Sequence, residues 1–293
     1  HTLSGIDMAL WDLLGKRLSE PVWALLGWPR NYPKLPYFSV LFGDTPEDTL
    51  ARARAARARG FRAAKFGWGP FGHGAVAEDE AQLAAAREGL GEDGVLLVDA
   101  GTVWNADVAA ARRRLPALLR CRAAWLEEPF VSGALAEYRQ LAADSGAVRL
   151  AGGEGCHNFF MARHMIDLAG LAYVQIDAGR IGGISVAKQV ADYALSRNVT
   201  YVNHTFTSHL ALSASLQPYA GIEAHEICEY PADPKALALA ITRTHLQPGT
   251  DGRVRLPEAP GLGMEVDPGA LAPYLVDTEI RVGGKVLYRT PAL

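Results

Sequence analysis

The stretch Ala124-Trp125-Leu126-Glu127-Glu128-Pro129 reads as a short apolar strand that ends in two carboxylates and a proline. Proline offers no N–H to a central ladder, so the strand is expected to stop there, with the carboxylates at its C-terminal rim. The same ending recurs on either side. Val95-Leu96-Leu97-Val98 ends in Asp99, and Val148-Arg149-Leu150-Ala151-Gly152-Gly153 ends in Glu154, so Asp99, Glu127 and Glu154 stand 28 and 27 residues apart. One strand–helix unit of an α/β barrel takes about 30 residues. A single acid at such a place is commonly a solvated side chain or the N-cap of the next helix. Three in register, one per consecutive strand end, would converge on one side of a barrel mouth. Such an oxygen set suits a hard divalent cation, Mg²⁺.

Working outward, the pattern from Leu35 alternates strand and helix. Strands are expected at about 35–42, 61–66, 94–99, 122–127, 148–153, 172–177, 199–204 and 222–229. Ala- and Arg-rich helices lie between them, for instance 46–59 and 107–119. Eight strands with seven intervening helices imply a parallel α/β barrel over 35–230 rather than an open sheet. Ahead of it, 1–34 reads as linker helices. Ile6, Ala9, Leu10, Leu13, Leu14 and Leu18 fall on one stripe, and Ser4 and Asp7 have capping-box spacing. Pro21 can open a second short helix and Gly27 can close it. The chain runs straight into a helix whose apolar stripe needs a neighbour, so it is expected to be the middle of something longer. After Tyr230 the alternation stops. The segment 231–293 is rich in Pro and Gly and carries a hairpin signal, 279–282 and 285–288 around Gly283-Gly284. It is expected to pack outside the barrel. The glycine-rich run 67–74 lacks the Lys-Ser/Thr ending of a phosphate loop.

Composition bounds the partners. The chain has 293 residues, 49% hydrophobic and 21% charged, with net charge −3, so nothing favours nucleic acid or an anionic membrane. No apolar run approaches the ~20 residues of a spanning helix. Cys121, Cys156 and Cys228 are scattered and odd in number. They read as reduced thiols in a cytoplasmic enzyme.

The other expected strand ends carry chemistry too. The second ends in Lys65, the sixth in Asp177, the seventh in His204 and the eighth in Glu229. Barrel active sites form on this rim. Alone, Lys65 or His204 could be an ordinary surface residue. Together, Asp177 and His204 on adjacent strands make a carboxylate–imidazole pair, in which the carboxylate fixes the tautomer and stabilises the imidazolium. No Ser or Cys nucleophile stands beside them, so proton transfer fits better than acyl transfer.

The ordered set Lys65, Asp99, Glu127-Glu128-Pro129, Gly153-Glu154, Asp177-Ala178-Gly179-Arg180-Ile181-Gly182-Gly183, His204 and Glu229-Tyr230 resembles the enolase superfamily, mandelate racemase-like branch. Ser4-Gly5-Ile6-Asp7-Met8-Ala9-Leu10-Trp11-Asp12 is similar to the helix that leads into the barrel there. The resemblance implies a modified TIM barrel, (β/α)7β, whose C-terminal segment packs toward an N-terminal α+β capping domain that does not precede His1 here. It implies that Asp99, Glu127 and Glu154 bind Mg²⁺, which holds a substrate carboxylate as the α-proton leaves to give an enediolate. It makes His204, oriented by Asp177, the general base. Lys65 stabilises the enediolate oxygens and Glu229 hydrogen-bonds the same carboxylate. The use of Lys or His bases with Mg²⁺ is a general property of this superfamily. Glu128 matches no ligand. Trp68 and His157 are substrate-binding candidates, with Asn158 and His225 as further pocket candidates.

Departures from the family narrow the chemistry. Many members end the second strand Lys-x-Lys, the second Lys being a base on the opposite face; here Lys65-Phe66-Gly67 lacks it. A racemase needs two bases, whereas a syn elimination can use one imidazole as base and then acid. Asp177 stands where muconate-lactonizing and dipeptide-epimerase relatives carry a catalytic Lys. Arg180 stays protonated and does not restore the missing base. The usual Asn after the first metal ligand is replaced by Ala100-Gly101. The expectation is therefore a Mg²⁺-dependent dehydratase of a sugar acid, a hydro-lyase and homo-oligomer. A racemase or epimerase with Lys65 as second base, and a metal-binding barrel inactive without its cap, are the alternatives.

Overall fold

The structure, a computed structural model, describes residues 1–291; the last two residues of the expected 231–293 segment lie outside the described residues. Short runs of apolar and small residues, each closed by a glycine, an acid or a polar rim residue, form eight barrel strands. These are β1 (Leu35–Leu41), β2 (Ala63–Gly67), β3 (Val95–Asp99), β4 (Ala123–Glu127), β5 (Arg149–Gly152), β6 (Tyr173–Ile176), β7 (Thr200–Asn203) and β8 (Ile227–Tyr230). They pair in the order β7-β6-β5-β4-β3-β2-β1-β8, and every ladder is parallel. Between β7 and β8 the seam is held by a side chain. The Asn203 carboxamide accepts from Glu229 N at 3.1 Å and donates to Glu229 O at 3.1 Å, which imitates a ladder rung. The fold is thus the expected α/β barrel.

The helices on the outside follow from local signals. α1 spans Thr2–Leu18 and α2 Val22–Leu25. α3 (Pro46–Ala58) starts with Pro46 in its first turn and a reciprocal capping box between Thr45 and Asp48. α4 (Val76–Leu90) follows β2. The single helix expected over 107–119 is two, α5 (Val108–Arg112) and α6 (Leu115–Arg120). Pro116 cannot donate to the carbonyl four residues back, which breaks the run there. α7 (Leu135–Asp144), α8 (Phe159–Leu168), α9 (Ala178–Ile181), α10 (Ile184–Ser196) and α11 (His209–Leu216) complete the ring, with α12 (Ala236–Ala240) beyond β8. The eighth strand starts five residues later than the expected 222. Residues 219–225 form turns, with Ile222 N donating to Tyr219 O and His225 N to Ile222 O.

Two apolar regions result. The larger lies between sheet and helices and includes Phe66, Val98, Leu126, Ile176, Leu212 and Ala191. The smaller fills the barrel interior with Tyr37, Ala63, Leu97, Trp125, Ala151 and Val202, a packed layer as such barrels require. Side chains alternate along a strand, so two residues past this layer each strand turns another interior residue up into the mouth.

α1 corrects the sequence reading. The expected stripe of Ile6, Ala9, Leu10, Leu13, Leu14 and Leu18 faces solvent. The opposite face, with Ser4, Met8, Trp11 and Gly15, packs on the barrel. Ser4 and Asp7 do not cap their own helix. Ser4 Oγ accepts from Gly182 N at 3.0 Å, and Asp7 accepts from the backbone and hydroxyl of Ser185. They satisfy the exposed amides at the start of α10, which needs oxygen acceptors rather than methyl groups. The C-terminal segment packs against the outside of the barrel. Leu246, Val254, Leu256, Leu262 and Met264 are buried, and Val22 N donates to Gly261 O. The hairpin forms as β9 (Glu279–Val282) and β10 (Lys285–Arg289), with Gly283 and Gly284 both at positive φ, as a tight turn there demands.

Candidate active site

The C-terminal rims of β2 to β8 carry Lys65, Asp99, Glu127, Glu154, Asp177, His204 and Glu229. The hydrogen-bond pattern runs one residue past the strands. Trp68 N donates to Asp99 O, Ala100 N to Glu127 O and Glu128 N to Ala151 O. Each rim is thereby fixed to the next, and the backbone turns sharply afterwards. Trp68, Gly101, Thr102 and Glu128 all have positive φ.

Lys65 is the centre of one cluster. Its ammonium lies 2.7 Å from Glu127 Oε1, 3.2 Å from Glu229 Oε1 and 3.5 Å from Asp99 Oδ2, with all four side chains buried. Burial alone would favour the neutral amine, but Glu127, Glu229 and Asp99 hold it protonated, well above the ordinary lysine range. Glu127 moves the other way from what its bond to Lys65 would give. Burial and the nearby Asp99 push its carboxyl up, and burial pushes Asp99 up as well. One ammonium is too little positive charge for three buried carboxylates.

His204 is the centre of the second cluster. Its Nδ1 lies 2.9 Å from Asp177 Oδ2 and its Nε2 lies 3.0 Å from Glu154 Oε2. Burial opposes the imidazolium, yet Glu229, Asp177 and Glu154 together hold the ring up to about 10. Glu154 answers in kind: against its own burial, His204, Lys65 and Arg180 draw it down to about 2. Glu229 Oε2 accepts from Thr205 N at 2.7 Å, which ties the two clusters together.

Asp99, Glu127 and Glu154 line up on adjacent rims as the sequence predicted. Among the described residues, however, no three His, Cys, Asp or Glu side chains are set to enclose a metal ion. Glu154 is engaged by His204 and by Arg180 Nη1, at 3.1 Å from its Oε1. The residues nonetheless fit a hard cation. Glu127 is 0% exposed and its Oε2 has no partner, an orphaned oxygen in a cluster short of positive charge.

Of the other candidates, Trp68 lines the same cleft of about 440 Å³ as Lys65, Asp99, Glu154, His204 and Glu229. His157 is exposed, and its ring stands edge-on to that of His1 with 6.1 Å between centroids. Asn158 caps α8 by accepting from Met161 N. His225 lies at the opposite, N-terminal end of the barrel just before β8, where it accepts from Tyr201 N at 3.3 Å. It cannot reach the mouth. Glu128 is buried, and burial with Glu154 and Asp99 nearby pushes it up to about 8. Three residues were not marked for the site in the sequence, although Arg180 was weighed there as a base. Arg180 bridges Glu154 and Asp177 from one turn beyond the latter, a spacing of three that was visible. Asn203 sits on the outward face beside His204, where an apolar residue is usual. Phe206 borders the cleft, its ring 5.5 Å from that of His204.

The sequence model described as "Enolase C-terminal domain-like" matches residues 48–270, and that of the "Mandelate racemase / muconate lactonizing enzyme, N-terminal domain" matches residues 2–27. The chain belongs to the enolase superfamily, in its mandelate racemase-like branch. It is 31% identical over 272 residues to a 3,6-anhydro-alpha-L-galactonate cycloisomerase of Streptomyces coelicolor, covering 90% of this chain and 69% of that one. It is 30% identical to a D-galactonate dehydratase of Variovorax paradoxus, covering 90% and 71%. Among solved structures, a predicted mandelate racemase from Rhodobacter sphaeroides shares 61% identity at a TM-score of 0.96, covering 99% and 74%. A racemase from Streptomyces coelicolor with bound magnesium shares 28% identity at 0.81, covering 92% and 71%. Dehydratases, cycloisomerases and racemases thus all stand among the enolase-superfamily relatives of this chain. No helix among the described residues is long and apolar enough to cross a membrane.

Proposed function

We propose that this enolase-superfamily chain catalyses Mg²⁺-dependent β-elimination on a sugar acid, giving a 2-keto-3-deoxy acid. One observation carries the choice of elimination over racemisation. The second strand ends Lys65-Phe66-Gly67, with glycine where a second lysine base would stand, and Lys65 itself pairs with Glu127, Glu229 and Asp99. A single imidazole remains to move protons.

In this reading His204 Nε2 takes the α-proton, and Asp177 at Nδ1 fixes the tautomer and supports the resulting imidazolium. The C3–O bond breaks as the C2–C3 double bond forms. The proton held on His204 passes to the leaving hydroxyl on the same face, so one water departs and the enol relaxes to the 2-keto acid. Lys65 stabilises the developing enediolate oxygens, and Glu229 fixes the same carboxylate from the eighth strand. A bound Mg²⁺, held by Asp99, Glu127 and Glu154, would supply an electrophilic grip on that carboxylate. Where the leaving oxygen belongs to a ring, the same two bonds break and no water leaves, so the product is an isomer of the substrate. The relatives named dehydratase and cycloisomerase support this shared chemistry.

The test is a screen of acid sugars with Mg²⁺ for 2-keto products. Formation of a 2-keto-3-deoxy acid supports the reading. Inversion of a stereocentre with no keto product from any sugar acid would overturn it.

A further inference from the structure

The cleft has a charged floor and an apolar rim. Lys65, Asp99, Glu154, His204 and Glu229 form the floor, while Leu41, Trp68 and Phe206 border the mouth. These three large side chains are 56%, 57% and 56% exposed, although they stand around a cluster of charged side chains. Trp68 is held there at a conformational cost. Its φ is +55°, which a bulky residue rarely adopts. Residues kept in such conformations cluster at ligand-contacting positions. The indole is also seated with purpose. It lies over Gly101, so closely that a Cβ there would come within 2.8 Å of Trp68 Cε2, and Gly101 itself has φ +54°. Only glycine leaves room for the ring at that place. The loop behind is anchored by buried charges: Asp79 accepts from Gly72 N, and Arg114 pairs with Asp79 and donates to Gly74 O.

We infer that Trp68, seated on Gly101 and flanked by Leu41 and Phe206, is a specificity-determining residue that selects the ring-closed form of the sugar acid by stacking on its C–H face. An open chain presents hydroxyls on all sides to this rim and would leave them unpaired against an apolar wall. A ring gathers C–H groups on one face, which an exposed aromatic plane covers well, and it sends its carboxylate to the charged floor. On such a substrate His204 takes the α-proton, the C3–O bond to the ring oxygen breaks, and His204 returns the proton to that oxygen. Atoms balance without release of water. This inference rests on the elimination reading above.

The experiment uses the full natural chain and compares ring-closed sugar acids that keep a free carboxylate with the ring oxygen on its β-carbon (anhydro acids and aldaric lactones of that pattern) with their open-chain counterparts, in wild type and in the Trp68→Phe and Trp68→Leu variants. For ring-closed substrates, Trp68→Leu should raise KM about tenfold with kcat within about twofold, and Trp68→Phe should raise it less. KM for open-chain acids should stay within about twofold. Ring-closed acids should also quench tryptophan fluorescence in wild type but not in Trp68→Phe, a binding readout that needs no turnover. An equal loss for both substrate classes would overturn the inference, because the rim then serves folding or covers another protein segment. Turnover of open-chain acids alone, with all variants unchanged, would overturn it while leaving the elimination reading intact. Wild type that eliminates from neither class would overturn both.

Discussion

Glu154 Oε2 lies 3.0 Å from His204 Nε2. The acid proposed to grip a metal is therefore bonded to the nitrogen proposed to take a proton. Each neutralises the other in this arrangement, and a cation that draws Glu154 toward Asp99 and Glu127 would also free the imidazole. Metal binding and base activation would then be coupled through one carboxylate.

Metal affinity is the first consequence. Titration calorimetry of the purified protein should show one Mg²⁺ or Mn²⁺ per chain. Glu127→Gln and Glu154→Gln should each weaken it by at least the 10- to 100-fold typical of losing even an outer partner of a metal site. Unchanged affinity in either variant would remove that residue from the ligand set.

Proton transfer is the second. His204→Asn should abolish exchange of the substrate α-proton in deuterium oxide while leaving Mn²⁺ binding in place. Asp177→Asn keeps the shape but loses the charge that faces Nδ1, and kcat should drop by roughly 10²-fold or more. Full exchange in His204→Asn would move the base to Lys65, despite its three carboxylate partners.

The barrel seam gives a stability prediction. Asn203 is fully buried and bonds Glu229 N, Glu229 O, Ser215 Oγ and Tyr219 Oη. Asn203→Leu leaves those groups unpaired between β7 and β8 and should cost about 2–4 kcal/mol, since each unsatisfied buried group is worth about 1–3 kcal/mol. Tyr219→Phe, which removes one donor, should cost less. Urea unfolding measures both, and a loss below that of Tyr219→Phe would show that the seam closes without the carboxamide.

The rim chemistry was legible because it follows strand ends, and strand ends are marked by abrupt changes in residue type such as Leu126 to Glu127 or Val202-Asn203 to His204. Alternation then fixes which residues face the mouth. What stayed hidden depended on pairings across distant sequence. The Ser4–Asp7 spacing suits a capping box, and only the packing of α1 on Gly182-Gly183 shows that it serves another helix. The exposed stripe on α1 is a second case, since periodicity reports an apolar face but not which face meets the barrel. His225 was a pocket candidate within an eighth strand begun at 222; the turn at 219–225 places it at the far end of the barrel. Trp68 was visible as a rim residue, but its seat on Gly101 needs the fold.

His225 supplies the last prediction, one of pH. Its Nδ1 accepts the Tyr201 N–H and so must carry no proton in the folded state. Burial and the nearby Lys34 ammonium hold its imidazole down to about 4, from an ordinary 6.5. Between those values the unfolded chain binds a proton that the folded chain refuses, so folding stability rises with pH across this window. The contribution is present in full above about 6.5 and is lost progressively as the pH falls toward 4. Because the site lies at the end of the barrel opposite Lys65 and His204, it should affect stability and not catalysis. Urea midpoints measured from pH 7.5 to 4.5 should fall, and His225→Asn, which keeps an acceptor for Tyr201 N–H without a titrating ring, should flatten that part of the slope. An identical pH slope in the variant would assign the effect to other groups.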